Sequence, residues 1–249
     1  MSVQNVVLNT CLRNLRKLNT DPRLKIKIFG ERNSGTRFIR ELLRKNIENV
    51  HICEGSFKSG TGWKHGLPNK YFLDRLNGKV IYVIMVRNLN RWANSMYNRP
   101  YDMRKRKSFN DFISKKISKI GKEFNDMSIY PWETSMNPIQ LRYFKYTNLK
   151  KFFDEKNYVV MVNLDWVQKD KGKQFIETFR SFYGFGGKRD VVKYVNKHTK
   201  TKRNNVKNET YKKYKISEEN YEKFVKEDVE EEITNLKCEM KKKNEYLRL

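Results

Sequence analysis

The sequence predicts an α/β fold: a central parallel β-sheet flanked by helices. Three observations predict it. Val80-Ile81-Tyr82-Val83-Ile84-Met85-Val86 is a continuous apolar, largely β-branched run, the mark of a strand buried on both faces. Leu24 to Phe29 alternates Lys with apolar residues, ends at Gly30, and is followed past Thr36 by Phe38, Ile39, Leu42 and Leu43 at helical spacing, which gives a strand, a tight turn and a helix. Tyr158 to Val162 repeats the strand signal and leads into Phe175, Ile176, Phe179 and Phe182 at helical spacing. Strands that alternate with helices imply crossover units and a parallel sheet.

The remaining elements follow in order. Val3, Val7, Leu8, Leu12, Leu15 and Leu18 mark an amphipathic helix within residues 1–23, suited to core packing. Val50 to Cys53 reads as a short second strand, then Gly55 to Gly66 as a Gly-rich loop. Asn69 to Leu76 reads as a helix broken by Gly78, and Asn90 to Tyr97 as a helix ended by Pro100. Phe109, Phe112, Ile113, Ile117 and Ile120 suggest one amphipathic helix. Pro138 suits the first turn of a long helix through Phe153. Residues 187–215 are polar, basic and aperiodic, as in a loop or lid. Residues 217–247 read as a charged helix whose Glu-rich block at 227–232 precedes Lys241-Lys242-Lys243, an order that suits the helix dipole. The expected organisation is one α/β domain over 1–215 and a charged helical segment over 216–249.

The chain has 249 residues, 54 Lys and Arg against 28 Asp and Glu, and a net charge of +26. Such a field attracts anions of any kind. The basic residues run through helices and loops alike, with no zinc-finger spacing and no RNA-binding aromatic motif, so nucleic acid as a partner has charge behind it but no module. Cys11, Cys53 and Cys238 form neither a metal-ligand pattern nor a disulfide framework, which suits a reducing compartment. The apolar run Val6-Val7-Leu8 is far too short for a signal peptide, and no stretch approaches the roughly 20 apolar residues of a membrane span. The expectation is a soluble, cytoplasmic protein with no metal. Its Asn- and Lys-heavy composition fits an AT-rich genome, a viral one among others.

Gly30-Glu31-Arg32-Asn33-Ser34-Gly35-Thr36-Arg37 stands where a strand meets a helix N-terminus. There, successive backbone N–H groups make a cradle for phosphate. An ATPase loop needs Lys after its second Gly and then Ser or Thr for magnesium. Here Gly35 is followed by Thr36 and Arg37, so the lysine is missing and Arg37 stands at the magnesium position. A P-loop kinase or NTPase is therefore the weaker enzyme reading. A non-catalytic basic protein that binds nucleotide or nucleic acid is the alternative from another class. Two more segments carry candidate chemistry. Trp63-Lys64-His65-Gly66-Leu67-Pro68 holds a potential base in His65, since histidine titrates near neutrality. Arg87 ends the central strand, where ligands of open α/β sheets bind, and Ser95 lies on the helix beyond it. Arg87 could fork onto a phosphate or pair with a nearby carboxylate.

Taken in order, these segments resemble the sulfotransferase superfamily, whose donor is 3′-phosphoadenosine 5′-phosphosulfate. Ser34-Gly35-Thr36-Arg37-Phe38 resembles the 5′-phosphosulfate loop Lys-Ser-Gly-Thr-Thr-Trp. Lys64-His65-Gly66-Leu67-Pro68 resembles the Lys-x-His-Leu-Pro segment that carries the base. Arg87 and Ser95 have the spacing of the pair that holds the 3′-phosphate, and Val159 to Asp165 is similar to a later strand ending near an acidic residue. The resemblance covers about residues 24 to 183. It implies the P-loop-like sulfotransferase architecture and sulfuryl transfer to a hydroxyl or amine.

The resemblance also assigns roles. Arg32, Asn33, Ser34, Gly35, Thr36 and Arg37 would hold the donor's 5′ end. Lys64 would stabilise the bridging oxygen, His65 would act as base, and Phe38 would stack on adenine or pack in the core. Asn33 stands where the family has its loop lysine, so Arg32 or Arg37 would supply that charge. Lys64 and His65 are adjacent rather than separated, which leaves open which of them meets the acceptor. Lys197-His198-Thr199-Lys200-Thr201-Lys202-Arg203 is the substitute for the family's C-terminal phosphate loop, through Lys202 and Arg203. Basic residues within 99–136 and 187–215 would line the acceptor side and point to an anionic small molecule or glycan.

Overall fold

A computed structural model of the chain describes residues 3–53, 61–68, 73–78, 80–100, 106–117, 136–154, 158–183, 214 and 216. They form α1 (Val3–Thr20), β1 (Leu24–Gly30), α2 (Thr36–Asn46), β2 (Val50–Ile52), β3 (Val80–Val86), α3 (Leu89–Asn98), α4 (Phe109–Ser114), α5 (Pro138–Asp154), β4 (Val159–Asn163), a helical turn α6 (Leu164–Trp166) and α7 (Gly172–Tyr183). A π-helical stretch, Val167–Lys171, joins α6 to α7. The strand order is β2-β1-β3-β4 and every neighbouring pair is parallel. The α/β class with a parallel sheet is thus as the sequence implies.

Burial explains the strands. β3 is buried at all seven positions and pairs on both sides, Val83 with Ile28 of β1 and with Val160 of β4. One face of the sheet carries Ile26, Ile28, Ile81, Val83, Met85, Val160 and Val162, packed on Ile39, Leu42 and Leu43 of α2 and Phe175, Ile176 and Phe179 of α7. The other face carries Phe29, Val80, Tyr82, Ile84 and Val86 against Leu15 and Leu18 of α1 and Tyr146 and Leu149 of α5. The alternation in β1 puts Lys25 and Lys27 on this second face, where they are only 3% and 0% exposed. A central parallel strand is covered on both faces, so their ammonium groups need internal acceptors. Lys25 Nζ donates to Asp21 O at 3.1 Å, and Lys27 Nζ donates to Thr61 Oγ1 at 3.0 Å and to Gly62 O.

The helices begin and end for local reasons. Asn137 Oδ1 accepts from the N–H groups of Ile139 and Gln140, both at 2.9 Å, while Gln140 Oε1 accepts from Asn137 N–H at 3.0 Å. This reciprocal cap starts α5 at Pro138, where the missing proline N–H costs nothing. Asn88 and Ser108 cap α3 and α4 in the same manner, each accepting from a backbone N–H three residues on.

The helix expected from Phe109 to Ile120 stops at Ser114. The backbone is already extended at Lys115, and Ile117 is buried outside the helix with its N–H donating to Met136 O at 3.0 Å, so tertiary pairing overrides the apparent periodicity. Of the helix expected over 69–76, residues 69–72 lie outside the described residues, and helix has already given way to turn after Leu73. The loop or lid at 187–215 and the charged helix at 217–247 also lie outside them, Tyr214 excepted. Ile216, the first residue of the expected charged segment, packs with Leu89, Trp92, Phe109 and Ile139 in a third apolar cluster. No described helix is long and apolar enough to cross a membrane.

β1 has β2 on one side and β3 on the other, so the chain changes direction beside it. That is the switch point of an open α/β sheet, where a crevice forms beyond the carboxyl ends of the strands. Gly30 and Val86 are those ends. The sheet itself rests on β3. Ile81→Ala, at a fully buried position near the start of β3, should lower the unfolding free energy by about 2–5 kcal/mol, read as a lower urea midpoint at unchanged slope.

Candidate functional site

The loop after β1 is shaped by two glycines. A Cβ on Gly30 would lie 2.6 Å from Ser34 Oγ and 2.8 Å from Met85 O. Gly35 has φ +92°, and a Cβ there would lie 2.4 Å from a Leu164 methyl. The first glycine lets the turn close against β3, and the second lets α2 start against α6. Ser34 closes the turn, its N–H and its hydroxyl both donating to Glu31 O, at 3.1 and 2.6 Å. Gly35 caps α2 without a side-chain hydrogen bond, and the first turn of that helix presents the positive end of its dipole at the loop.

Two loop residues gather the other motifs. Gly30 N–H donates to Lys64 O at 3.0 Å, and Gly30 O accepts from His65 Nδ1 at 2.7 Å. A carbonyl oxygen only accepts, so Nδ1 carries the ring proton and Nε2 keeps its lone pair. Asn33 O accepts from Arg87 Nη1 at 3.0 Å, and Asn33 Nδ2 donates to Ser95 O at 3.2 Å. The loop, Lys64-His65 and Arg87 with Ser95, more than 50 residues apart at the extremes, therefore meet at the carboxyl edge of β1 and β3.

Each candidate residue has a definite place. Asn33 is left-handed at φ 60°, and its amide also reaches Arg99 O at 3.4 Å, so the side chain closes the C-terminal turn of α3 rather than facing the loop mouth. The Ser34 side chain is fully buried on Glu31. Thr36 is buried at the first position of α2, and Arg37 beside it is exposed. Phe38 is half-buried against the core, which favours its packing role. The Arg32 guanidinium lies over the Trp63 ring, 4.9 Å from its centroid, and Trp63 meets His65 edge-on at 5.1 Å. Of the two arginines that could replace the loop lysine, Arg32 is therefore the one beside Lys64 and His65. Arg87 also approaches Asp165, Nε to Oδ1 at 3.8 Å, while Arg91 holds the same oxygen at 3.0 Å. Asp165 Oδ2 accepts from Asn88 N–H at 3.1 Å. Lys202 and Arg203 lie outside the described residues.

The electrostatics follow from burial. His65 is pushed down to about 3, first because burial disfavours the imidazolium and then because Lys64, Arg32 and Lys145 are cationic neighbours; the bond to Gly30 opposes them. Burial likewise lowers Arg87, which Asp165 counters. Since unfolded His65 would titrate near its ordinary 6.5, the folded state loses stability as pH falls through 6.5 toward 3 and gains nothing above 6.5.

Nothing in the order of residues marks the polar support beneath the loop. Glu31 and Lys145 form an ion pair at 3.3 Å with side chains only 7% and 4% exposed, and Lys145 Nζ also donates to His65 O at 3.1 Å. One helical turn earlier, Arg142 Nη2 donates to Arg87 O at 2.6 Å and its guanidinium stacks on Trp92, whose Nε1 donates to Arg32 O at 3.0 Å. Tyr146 OH donates to Met85 O at 3.0 Å. Arg142, Lys145 and Tyr146 follow i, i+3, i+4 spacing, one face of α5. Polar residues on a helix face in the sequence show that periodicity but not their partners. Among the described residues, no cluster of His, Cys, Asp and Glu could hold a metal ion.

In comparisons with protein-family models, characterised proteins and solved structures, nothing matches this chain.

Removing one member of a buried pair leaves a bare charge, whereas replacing both with apolar groups is close to neutral. Lys145→Met should therefore destabilise the fold by roughly 3–5 kcal/mol, and the double variant Glu31→Leu/Lys145→Met should recover most of that loss in urea titrations.

Proposed function

We propose that this protein is a sulfotransferase. On this reading it moves a sulfuryl group from 3′-phosphoadenosine 5′-phosphosulfate to a hydroxyl or amine of an acceptor, an anionic small molecule or a glycan. The observation that carries the reading is the convergence at Gly30 and Asn33. One loop residue is bonded to Lys64 and His65, and the other to Arg87 and Ser95.

The residues take the following parts. Backbone N–H groups of the loop and of the first turn of α2, with Arg32, Thr36 and Arg37, hold the 5′-phosphosulfate. Asn33 acts through its backbone, because its side chain is engaged elsewhere, and Ser34, whose N–H and hydroxyl both go to Glu31 O, shapes the loop. Arg87 and Ser95 take the 3′-phosphate, with Asp165 and Arg91 setting the position of Arg87. Lys64 stabilises the bridging oxygen. The acceptor oxygen attacks sulfur in line as the sulfur–oxygen bond to the 5′-phosphate breaks, and that electron pair leaves on the phosphate. His65 Nε2 receives the acceptor proton. A group held near 3 is a weak base, but an anionic donor beside it raises its proton affinity by opposing the cationic neighbours. The ascending limb of kcat should therefore lie at higher pH than that of kcat/KM, because the first reports the donor-bound state.

Thermal-shift measurements separate the donor classes. 3′-Phosphoadenosine 5′-phosphate should stabilise the protein more than magnesium ATP does; the reverse order would favour a kinase or NTPase. Arg87→Ala should weaken binding of the bisphosphate by about tenfold or more, the scale of a charged hydrogen bond, and change affinity for adenosine 5′-phosphosulfate by less than about threefold. Equal losses for both ligands would remove Arg87 from the 3′-phosphate site. With labelled donor, His65→Ala should reduce turnover by roughly 10²–10⁴-fold. Turnover within about threefold of the parent would exclude His65 as the base.

A further inference from the structure

We infer that Lys145 of α5 is a positioning residue for His65, and that Glu31 is the counter-charge that lets it act from inside the protein. The inference rests on the proposed function for its catalytic meaning, but not for its geometry. Lys145 Nζ holds two groups at once, the Glu31 carboxylate at 3.3 Å and His65 O at 3.1 Å. Glu31 directly follows Gly30, whose carbonyl fixes the His65 ring through Nδ1 at 2.7 Å and whose N–H fixes Lys64 O at 3.0 Å. The ring of contacts closes: loop to His65 side chain, His65 backbone to Lys145, and Lys145 back to the loop.

This ring constrains both ends of one residue. The Gly30 bond alone leaves the backbone at His65 free to pivot, since a single hydrogen bond to a ring nitrogen fixes distance better than direction. Lys145 pins the carbonyl of the same residue. With both ends held, the imidazole stays in the tautomer that the Gly30 carbonyl selects, with Nε2 as the proton-accepting nitrogen. Lys145 also acts by charge. The groups that face His65 are Lys64 and Arg32 from the two loops and Lys145 from α5, all cationic, with the Glu31 carboxylate set against Lys145. A salt-bridged ammonium held this way raises the cost of an imidazolium while remaining affordable to bury. A merely structural pair would stabilise α5 against the loop and leave the imidazole's titration alone.

The test uses the full chain and reads the imidazole directly. Two-bond ¹⁵N–¹H correlation spectra distinguish the two neutral tautomers and the cation for each of the three histidines, with His65→Asn identifying the signal. In the parent, His65 should be wholly Nδ1-protonated and should not titrate between pH 5 and 8. Lys145→Met alone destabilises the chain by baring Glu31, so the decisive variant is Glu31→Leu/Lys145→Met, with circular dichroism and a cooperative melt confirming the fold. In that variant the signal should become a mixture of tautomers, and its midpoint should rise while burial of the ring still holds it below the ordinary histidine value. A folded double variant with the parent's tautomer and titration would overturn the inference. Bisphosphate binding to the same samples keeps the two claims apart. A parent that binds no 3′-phosphoadenosine 5′-phosphate would sink the sulfotransferase reading and leave the tautomer result standing. An unchanged imidazole in a variant that binds it would sink the positioning role alone.

Discussion

Everything at the carboxyl edge of the sheet depends on Gly30 giving both of its backbone groups to one dipeptide. Its N–H goes to Lys64 O and its carbonyl to His65 Nδ1. Such an exchange demands that a strand end and a distant loop run side by side at hydrogen-bond distance. That demand excludes a side chain at residue 30, where a Cβ would strike Ser34 Oγ and the Met85 carbonyl. Glycine at this position is thus a packing requirement of β1 against β3 and a condition for placing His65. The same constraint reaches outward: Lys27, buried in β1, ties the loop at Thr61 and Gly62, just before Trp63. The loop that carries Lys64 and His65 is held at its beginning by a strand interior and at its centre by a strand end.

The polar groups beneath the loop explain how so much charge can be buried there. Unpaired ammonium or carboxylate groups in this setting would cost several kcal/mol each. The fold meets that cost by pairing Glu31 with Lys145, by giving Lys25 and Lys27 main-chain and hydroxyl acceptors, and by stacking Arg142 on Trp92 and Tyr146. Cation–π contacts of this type are worth about 2 kcal/mol when desolvated, enough to make a buried guanidinium tolerable. The aromatic content of α3 and α5 therefore serves the loop as well as the core.

The sheet was legible in the sequence because burial on both faces leaves an unmistakable run in β3, and because the switch from period two in β1 to helical spacing in α2 brackets the loop. The candidate loop, His65, Arg87 and Ser95 were legible as residue types in order. Their mutual bonds were not, since Gly30 and Asn33 act through backbone atoms that any sequence supplies. Asn33 and Ser34 read as donor ligands, and the fold spends both side chains on closing α3 and the turn. The helix from Phe109 was drawn too long because Ile117 falls on its periodicity, yet its N–H pairs with Met136. The Glu31–Lys145 pair is the clearest case of what sequence withholds: two charged residues 114 positions apart look like surface until the fold buries them together.

The charge balance of the site supplies the final step of the argument. Of the carboxylates that the described residues bring to it, Glu31 is committed to Lys145, and Asp165 to Arg91 and Arg87. Arg32 and Lys64 stand beside a histidine that burial keeps neutral, and Arg37 is exposed at the start of α2. The two carboxylates are therefore engaged within the frame, and Arg32, Lys64 and Arg37 give the loop a positive potential. A helix N-terminus that lacks a side-chain cap adds to the same sign of potential. On the proposed reading, a donor with phosphate at one end and phosphosulfate at the other both fills this field and changes it. It raises the proton affinity of His65 at the moment a base is needed. On that reading donor binding and acceptor activation are coupled electrostatically, because the imidazole gains proton affinity with the anion beside it.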